Sequence, residues 1–302
     1  MRVTGAVPPA PATLRLRGRE YPPGRPLVMA ILNRTPDSFY PGARQLEDGV
    51  AAESVARAVA EGADILDVGG VKAGPGEEVD EAEEIRRVVP FVTRVREEHP
   101  DLLISVDTWR SGVAKQACAA GADLLNDTWA GHDPALVDVA AAHGVGVVCS
   151  HTGHAVPRSR PHRVSYGTTV DGVVDDVLAT LRLAAARAVR AGVDPASVLV
   201  DPTHDFGKNT WHGLALVRAT ADLVALGHPV LMALSRKDFV GETLDLPVEE
   251  RLEGTLAATA VAAWLGATVF RAHDVAATRR VLDMVASVRG ERPPARAVRG
   301  LA

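Results

Sequence analysis

Cysteine is almost missing from this chain: Cys118 and Cys149 are the only two among 302 residues. Two cysteines cannot make a disulfide framework. One falls in an expected helix and the other in an expected strand, where free cysteine behaves as a small hydrophobe; both are expected as buried, reduced thiols. Lysine is scarce too, with Lys72, Lys115, Lys208 and Lys237 as the whole set and arginine supplying the rest of the positive charge. The net charge of -5 gives no basic footprint, so neither nucleic acid nor an anionic membrane is an expected partner. Long apolar runs are missing as well. None approaches the roughly 20 residues of a membrane span, and the first 26 residues, with six prolines and several arginines, hold no apolar run of a secretion signal. A cytoplasmic protein is expected.

What is present is an ordinary globular balance, 47% apolar and 24% charged, arranged in a repeating pattern. Leu102–Val106 is a short apolar run that ends in Asp107; Gly112–Ala120 is an Ala-rich helical stretch closed by Gly121; Ala122–Leu125 is a second apolar run ending in Asn126 and Asp127. Apolar strands of about five residues without alternation suit a parallel sheet buried on both faces.

The same unit recurs along the chain. Strands are expected at Leu27–Leu32, Asp64–Val68, Val145–Ser150, Val198–Val200, Val230–Leu234 and Thr268–Phe270, with helices near Val50–Glu61, Glu78–Glu98, Val173–Ala191 and up to about Val288. Gly62, Gly121, Gly192 and Gly266 each stand just before a strand, where glycine accepts the left-handed conformation that stops a helix. Eight strands alternating with helices predict a single-domain α/β fold, a (β/α)8 TIM barrel over residues 27–290. Residues 1–26 are expected as a flexible Pro/Arg-rich arm and 291–302 as a tail. An open doubly wound sheet is the alternative, weakened because no G-x-G-x-x-G turn follows the first strand.

Polar residues appear where the strands run out: Asn33, Asp67, Asp107, Asn126, His151, Asp201, Ser235 with Arg236 and Lys237, and Arg271 with His273. Any one of them could be a turn or helix cap. As a set they belong at the C-terminal mouth of a barrel. Asp107, Asn126, Asp201 and Lys237 offer acceptors and donors for a flat, amide-rich heterocycle. Asn33, Arg271 and His273 suit an anion or a magnesium-bound phosphate, and the glycine-rich stretch 69–76 could bring backbone N–H groups to it. Histidines are too scattered for zinc: a zinc hydrolase on this fold would carry a His-x-His pair on the first strand, and Met29–Asn33 has none.

These segments closely resemble dihydropteroate synthase, a pterin-binding (β/α)8 barrel, over roughly residues 27–290. The markers are Asn33-Arg34-Thr35-Pro36-Asp37-Ser38-Phe39, Ser105-Val106-Asp107-Thr108, Asn126-Asp127, Asp201-Pro202, Phe206-Gly207-Lys208, Ser235-Arg236-Lys237 and Arg271-Ala272-His273-Asp274. The resemblance implies condensation of a 7,8-dihydropterin methyl pyrophosphate with p-aminobenzoate, in folate biosynthesis. It implies a pterin site at Asp107, Asn126, Asp201 and Lys237. Pyrophosphate and magnesium (Mg2+) would be handled by Asn33, Arg271 and His273, with Asn33 as the metal ligand. Asn33, Arg271, His273 and Lys237 would be the catalytic set. Ser235, Phe206, Pro75 and Phe39 would form the p-aminobenzoate side, where sulfonamides also bind in the family. A homodimer is implied too, for which the Ala-rich helices near 253–266 and 275–288 could supply an interface.

Two loops depart from the family pattern. The second-strand loop, normally Gly-Gly-Glu-Ser-Thr-Arg-Pro-Gly, reads Gly69-Gly70-Val71-Lys72-Ala73-Gly74-Pro75-Gly76, so Ala73 and Gly74 stand where a threonine and an arginine are expected. In the first loop Phe-Ser-Asp-Gly has become Phe39-Tyr40-Pro41-Gly42, and Arg34 replaces a small apolar residue. Loss of one charge-stabilising donor costs about 3–4 kcal/mol of transition-state stabilisation, and Lys72 could replace the arginine only as a point charge. The pattern resembles the divergent second synthase-like paralogue of actinobacteria. The expectation is therefore an impaired transferase. The alternatives are a catalytically silent pterin-binding protein and, more remotely, a folate-dependent methyltransferase.

Overall fold

In the computed structural model, which describes residues 10–34, 44–159, 165–169 and 171–299, eight parallel strands wrap around one axis with helices outside. In chain order they are β3 (Leu27–Asn33), β4 (Ile65–Gly69), β5 (Leu103–Asp107), β6 (Leu124–Asp127), β7 (Gly146–Ser150), β8 (Val198–Asp201), β9 (Leu231–Met232) and β10 (Val269–Ala272). Each pairs in parallel with its neighbour from β8 back to β3, then through β10 to β9. A parallel bridge between Val200 and Val230 joins the two ends. The (β/α)8 barrel expected from the repeat is the fold observed, and the open-sheet alternative falls away.

Strand parity explains the uninterrupted apolar runs. Leu27, Met29, Ile65, Leu103, Leu124, Val148, Leu199, Leu231 and Val269 fill the barrel interior. Val28, Ala30, Leu66, Ile104, Leu125, Val147 and Val200 face the helices and share a second core with them. Both faces of every strand are thus withdrawn from water. Helix α2 (Glu81–Glu98) starts three residues later than expected from its charge pattern because Asp80 caps it, accepting from the Glu83 amide at 2.7 Å. Helix α5 (Gly172–Ala191) ends at Gly192 with φ 109°, the conformation the sequence asks of it.

The N-terminal segment departs from expectation. Leu14–Leu16 (β1) and Arg19–Tyr21 (β2) form an antiparallel hairpin whose turn residues, Arg17 and Gly18, both have positive φ. Alternation decides its fate: Leu14 and Leu16 are 2% exposed and join the interior core. Arg15 and Arg17 stay outside, pairing with Asp194 and Asp123. Gly146 makes room, since a Cβ there would sit 2.6 Å from the Leu16 side chain. Residues 14–21 are therefore the bottom plug of the barrel rather than a free arm. The thiols divide: Cys149 is buried, as expected, and Cys118 is only half-buried. No helix among the described residues is long and apolar enough to cross a membrane.

Candidate functional site

The parity that makes the lower barrel apolar turns polar two residues further along five of the strands. Asp67, Ser105, Asn126, Asp201 and Arg271 point inward above the aliphatic layer, and Asp67 is fully buried. Its Oδ1 accepts from Ser105 Oγ at 2.6 Å. Its Oδ2 accepts from Asn126 Nδ2 at 3.2 Å and from Arg271 Nε at 2.6 Å. Arg271 also donates from Nη2 to Asp107 Oδ2 at 3.0 Å, and Thr128 Oγ1 donates to Asp107 Oδ1 at 2.7 Å. Five side chains from β4, β5, β6 and β10, with Thr128 beyond β6, thus form one connected network, the arrangement that makes buried polar groups tolerable.

Above this floor opens a cavity of about 410 Å³, lined among others by Asn33, Asp107, Asn126, Asp201, Lys237, Arg271 and His273. A second cavity of about 430 Å³ lies beside it, bounded by Asp205, Lys208, Asp238 and Glu242, and the two share Ala73, Gly74 and Phe206. Phe206 is held edge-on against buried Trp129, with ring centroids 5.0 Å apart, and Lys237 Nζ stands 4.8 Å over its face.

Enclosure sets the charge states. It pushes Asp201 up to about 6, against the pull of the Thr203 amide and the Lys237 ammonium. Asp107 likewise rises to about 6, with Arg271 opposing and Asp67 reinforcing the shift. Burial pushes Lys237 below the ordinary lysine value. It pushes Lys208 down to about 7, although that ammonium donates to the carbonyls of His151, Thr203 and Phe206 at 2.7, 3.0 and 2.9 Å. His273, at the rim, is drawn down to about 4 by the enclosing wall and then by the Arg271 cation; its Nδ1 lies 3.0 Å from Ser235 Oγ.

An inner chamber with two carboxylates, two amides and two lysines on its walls, backed by an aromatic ring, can recognise a planar, donor-rich heterocycle. The comparisons agree with that geometry. A family model described as pterin binding enzyme matches residues 29–273. The chain belongs to the pterin-binding enzyme family. Within it, a Mycobacterium tuberculosis relative named inactive dihydropteroate synthase 2 is 64% identical over 287 residues, 95% of this chain and 90% of that protein. A Bacillus subtilis dihydropteroate synthase is 39% identical over 261 residues, 86% of this chain and 87% of that protein. A solved Yersinia pestis dihydropteroate synthase with a sulfonamide drug complex superimposes with a TM-score of 0.83 at 33% identity, covering 92% of this chain and 99% of that one.

Against this family frame the expected residues divide. Asn33, Asp107, Asn126, Asp201, Lys237, Arg271, His273 and Phe206 converge on the inner chamber. Ser235 reaches it through His273. Pro75 lines neither chamber; its neighbours Ala73 and Gly74 line both. The first-loop stretch from Thr35 to Gly42, with Phe39 and Pro41, lies outside the described residues. His151, read from sequence as part of the mouth, is 1% exposed and bonds Asp176 at 2.7 Å through Nε2. Arg271, expected to face an anion, spends Nε and Nη2 on Asp67 and Asp107. Arg34 lies over the Phe91 ring at 4.8 Å.

Sequence reading placed Asp67 among the strand ends at the mouth but gave it no chemical role; its spacing of two from Ile65, an interior residue, is the signal that could have marked it as inward-facing. Thr128 and Lys208 were missed as structural partners, because their bonds join segments that only the barrel brings together.

Proposed function

We propose that this protein is a dihydropteroate synthase-family pterin binder whose capacity to condense a dihydropterin methyl pyrophosphate with p-aminobenzoate is weak or lost. The observation that carries this reading is the contrast at the wall shared by the two chambers. Beneath it Asp67, Ser105, Asp107, Asn126 and Arg271 bond one another, while the shared wall is Ala73, Gly74 and Phe206, with no hydroxyl or guanidinium to meet a departing anion.

In this reading Asp201 and Asn126 accept and donate along the edge of the pterin ring, Asp107 takes a ring donor, and Lys237 donates to a ring acceptor while Phe206 closes the face. p-Aminobenzoate would enter beside Phe206 and Ser235. The methylene carbon becomes cation-like as pyrophosphate leaves, so no protein nucleophile is required. Catalysis rests on positioning and on stabilising the leaving charge, which here falls to His273, Lys72 and the remaining donors of Arg271.

Among the described residues no three His, Cys, Asp or Glu side chains converge as a metal cage. Magnesium would therefore be held by Asn33 together with phosphate oxygens and water, the sparse ligation this ion accepts. When bound it would supply positive charge against the pyrophosphate.

A homodimer is supported by two packed helices, α9 (Leu252–Trp264) and α10 (Val275–Val288). They leave Val261, Trp264, Met284 and Val288 between 47% and 63% exposed; light scattering would test it. A cytoplasmic setting fits such a role. The second reading, a silent pterin-binding protein with another task, is favoured by the inactive label carried by the Mycobacterium relatives.

One incubation separates the two readings. Pure protein, magnesium, dihydropterin pyrophosphate and p-aminobenzoate are combined, and dihydropteroate is quantified by mass spectrometry beside an active synthase. Slow product formation supports an impaired transferase; none, with pterin still bound, supports the silent binder. Turnover equal to that of the active synthase, or no pterin binding, overturns the proposal.

A further inference from the structure

The segment after β9, and the end of β10 with the turn that follows it, carry four of the side chains at the mouth. Ser235 and Lys237 sit on the first, Arg271 and His273 on the second. Arg236 stands between Ser235 and Lys237, and Asp274 follows His273; neither lines a cavity wall. Arg236 lies in the turn beyond the strand, and its side chain is directed away from the mouth onto Asp274. Its backbone is left-handed, with φ 54°, an unfavourable region for a residue with a Cβ that persists only where the surroundings over-determine it.

The surroundings of Arg236 do so. Its Nε donates to Asp274 Oδ2 at 3.0 Å and its Nη2 to Asp274 Oδ1 at 3.1 Å, a two-pronged fork. Nη1 donates to the carbonyls of Val248 and Glu249 at 2.9 and 2.8 Å. Its backbone N–H donates to Thr255 Oγ1 at 3.0 Å. Arg251 Nη1 donates to the Arg236 carbonyl at 3.0 Å and to Asp238 Oδ1 at 2.8 Å. Gly241 leaves space for that second arginine, since a Cβ there would fall 2.2 Å from Arg251 Nε. On the mouth side the same two turns meet again, where Ser235 Oγ accepts from the His273 amide at 3.2 Å.

We propose that Arg236 is a positioning residue that locks the β9 and β10 turns together, so that Lys237 and Ser235 on one and His273 and Arg271 on the other face the cavity as a single unit. It acts through these neighbours and touches no ligand. The ligand consequences rest on the functional reading above; the lock itself does not.

The test uses the full-length protein as Arg236→Gln, Arg236→Lys, Asp274→Asn and the Arg236→Gln/Asp274→Asn pair. Amide hydrogen exchange by mass spectrometry is the first readout. Each single substitution is expected to speed exchange about tenfold in both turns, 234–238 and 271–275, while 103–107 across the barrel stays unchanged. The pair should be no worse than the more severe single, because the two residues act as one unit. Arg236→Lys should fail to restore protection, since an ammonium cannot fork onto a carboxylate and hold two carbonyls as well. The second readout is affinity: magnesium pyrophosphate should bind about tenfold more weakly, while 6-hydroxymethylpterin, which keeps Asp107, Asn126 and Asp201 and loses only the Lys237 contact, should weaken less, by about threefold.

Substitutions that loosen only their own turn, or an Arg236→Lys variant indistinguishable from the parent, would overturn the lock. Should Arg236→Gln not fold, Asp274→Asn, which keeps the bonds to Val248 and Glu249, decides the matter alone. A parent protein that binds neither ligand overturns the functional reading, and the exchange experiment still judges the lock.

Discussion

At the floor of the mouth Asp67 accepts three hydrogen bonds from three different side chains, whereas at the shared wall of the two chambers Ala73 and Gly74 present only a methyl group and a backbone. The floor lies inside the barrel, where an unpartnered polar group is costly, so a change there costs stability as well as binding. The wall belongs to an exposed loop after β4, where side chains can be exchanged at little cost to the fold. A loop of this kind can lose its chemistry while the pocket beneath it persists. That difference is why ligand binding and turnover need not be kept together in this chain.

The largest expected effect lies in the floor. Asp67→Ala removes the fully buried partner of an ion pair and leaves Arg271, Asn126 and Ser105 short of an acceptor. A loss of about 3–5 kcal/mol is expected, read as a drop in the denaturant midpoint, with Asp67→Asn milder. A loss below about 1 kcal/mol would mean the floor is not a connected unit.

Next comes Asp201→Ala, which should weaken pterin binding about 100-fold, as expected when a charged acceptor is removed from a buried site, while circular dichroism shows the fold intact. Unchanged affinity in calorimetry would remove the pocket assignment.

The wall is addressed by Ala73→Thr with Gly74→Arg. A Cβ at Gly74 would meet nothing within 4 Å, so the arginine has space. Turnover should rise about tenfold or more if a charge-stabilising donor is what is missing. A double mutant as slow as the parent places the defect elsewhere.

The smallest effect is in pH. Asp201 and Asp107 take up protons at about 6 rather than in the ordinary aspartate range. The ionised acceptor form is therefore present above about pH 6 and lost as pH falls through it. Affinity for 6-hydroxymethylpterin should fall about tenfold between about pH 7 and pH 5.5 as the two protons are taken up, and Asp201→Asn, which leaves only Asp107 to titrate, should make the profile shallower. A profile flat down to pH 4.5 in the parent would contradict the assigned protonation.

Much of the barrel could be read from the chain because each strand–helix unit repeats its own signals: a short apolar run, a polar end, a glycine stop. β3 at Leu27–Asn33 and α5 at Gly172–Ala191 fall within one residue of where the pattern puts them. β9 does not: a five-residue run, Val230–Leu234, pairs as a ladder only at Leu231–Met232. Pairing length depends on how far its neighbours extend, which a run of apolar residues does not record. Residues 14–21 were unreadable for a related reason, because three-residue strands rich in arginine carry almost no local signal, and their burial comes from a hole at the bottom of a barrel they do not help to define.

The sequence by itself determined the fold class, the family and the set of polar residues at the strand ends, since period, parity and motif order are properties of the chain. Only the tertiary structure decided how those residues divide their bonds. It turned His151 onto Asp176 and gave Arg271 to Asp67 and Asp107, 204 and 164 positions away. It also joined Arg236 to Asp274 across 38. Hydrogen-bond partners are fixed by distances of about 3 Å, and such distances between remote segments exist only once the barrel has closed.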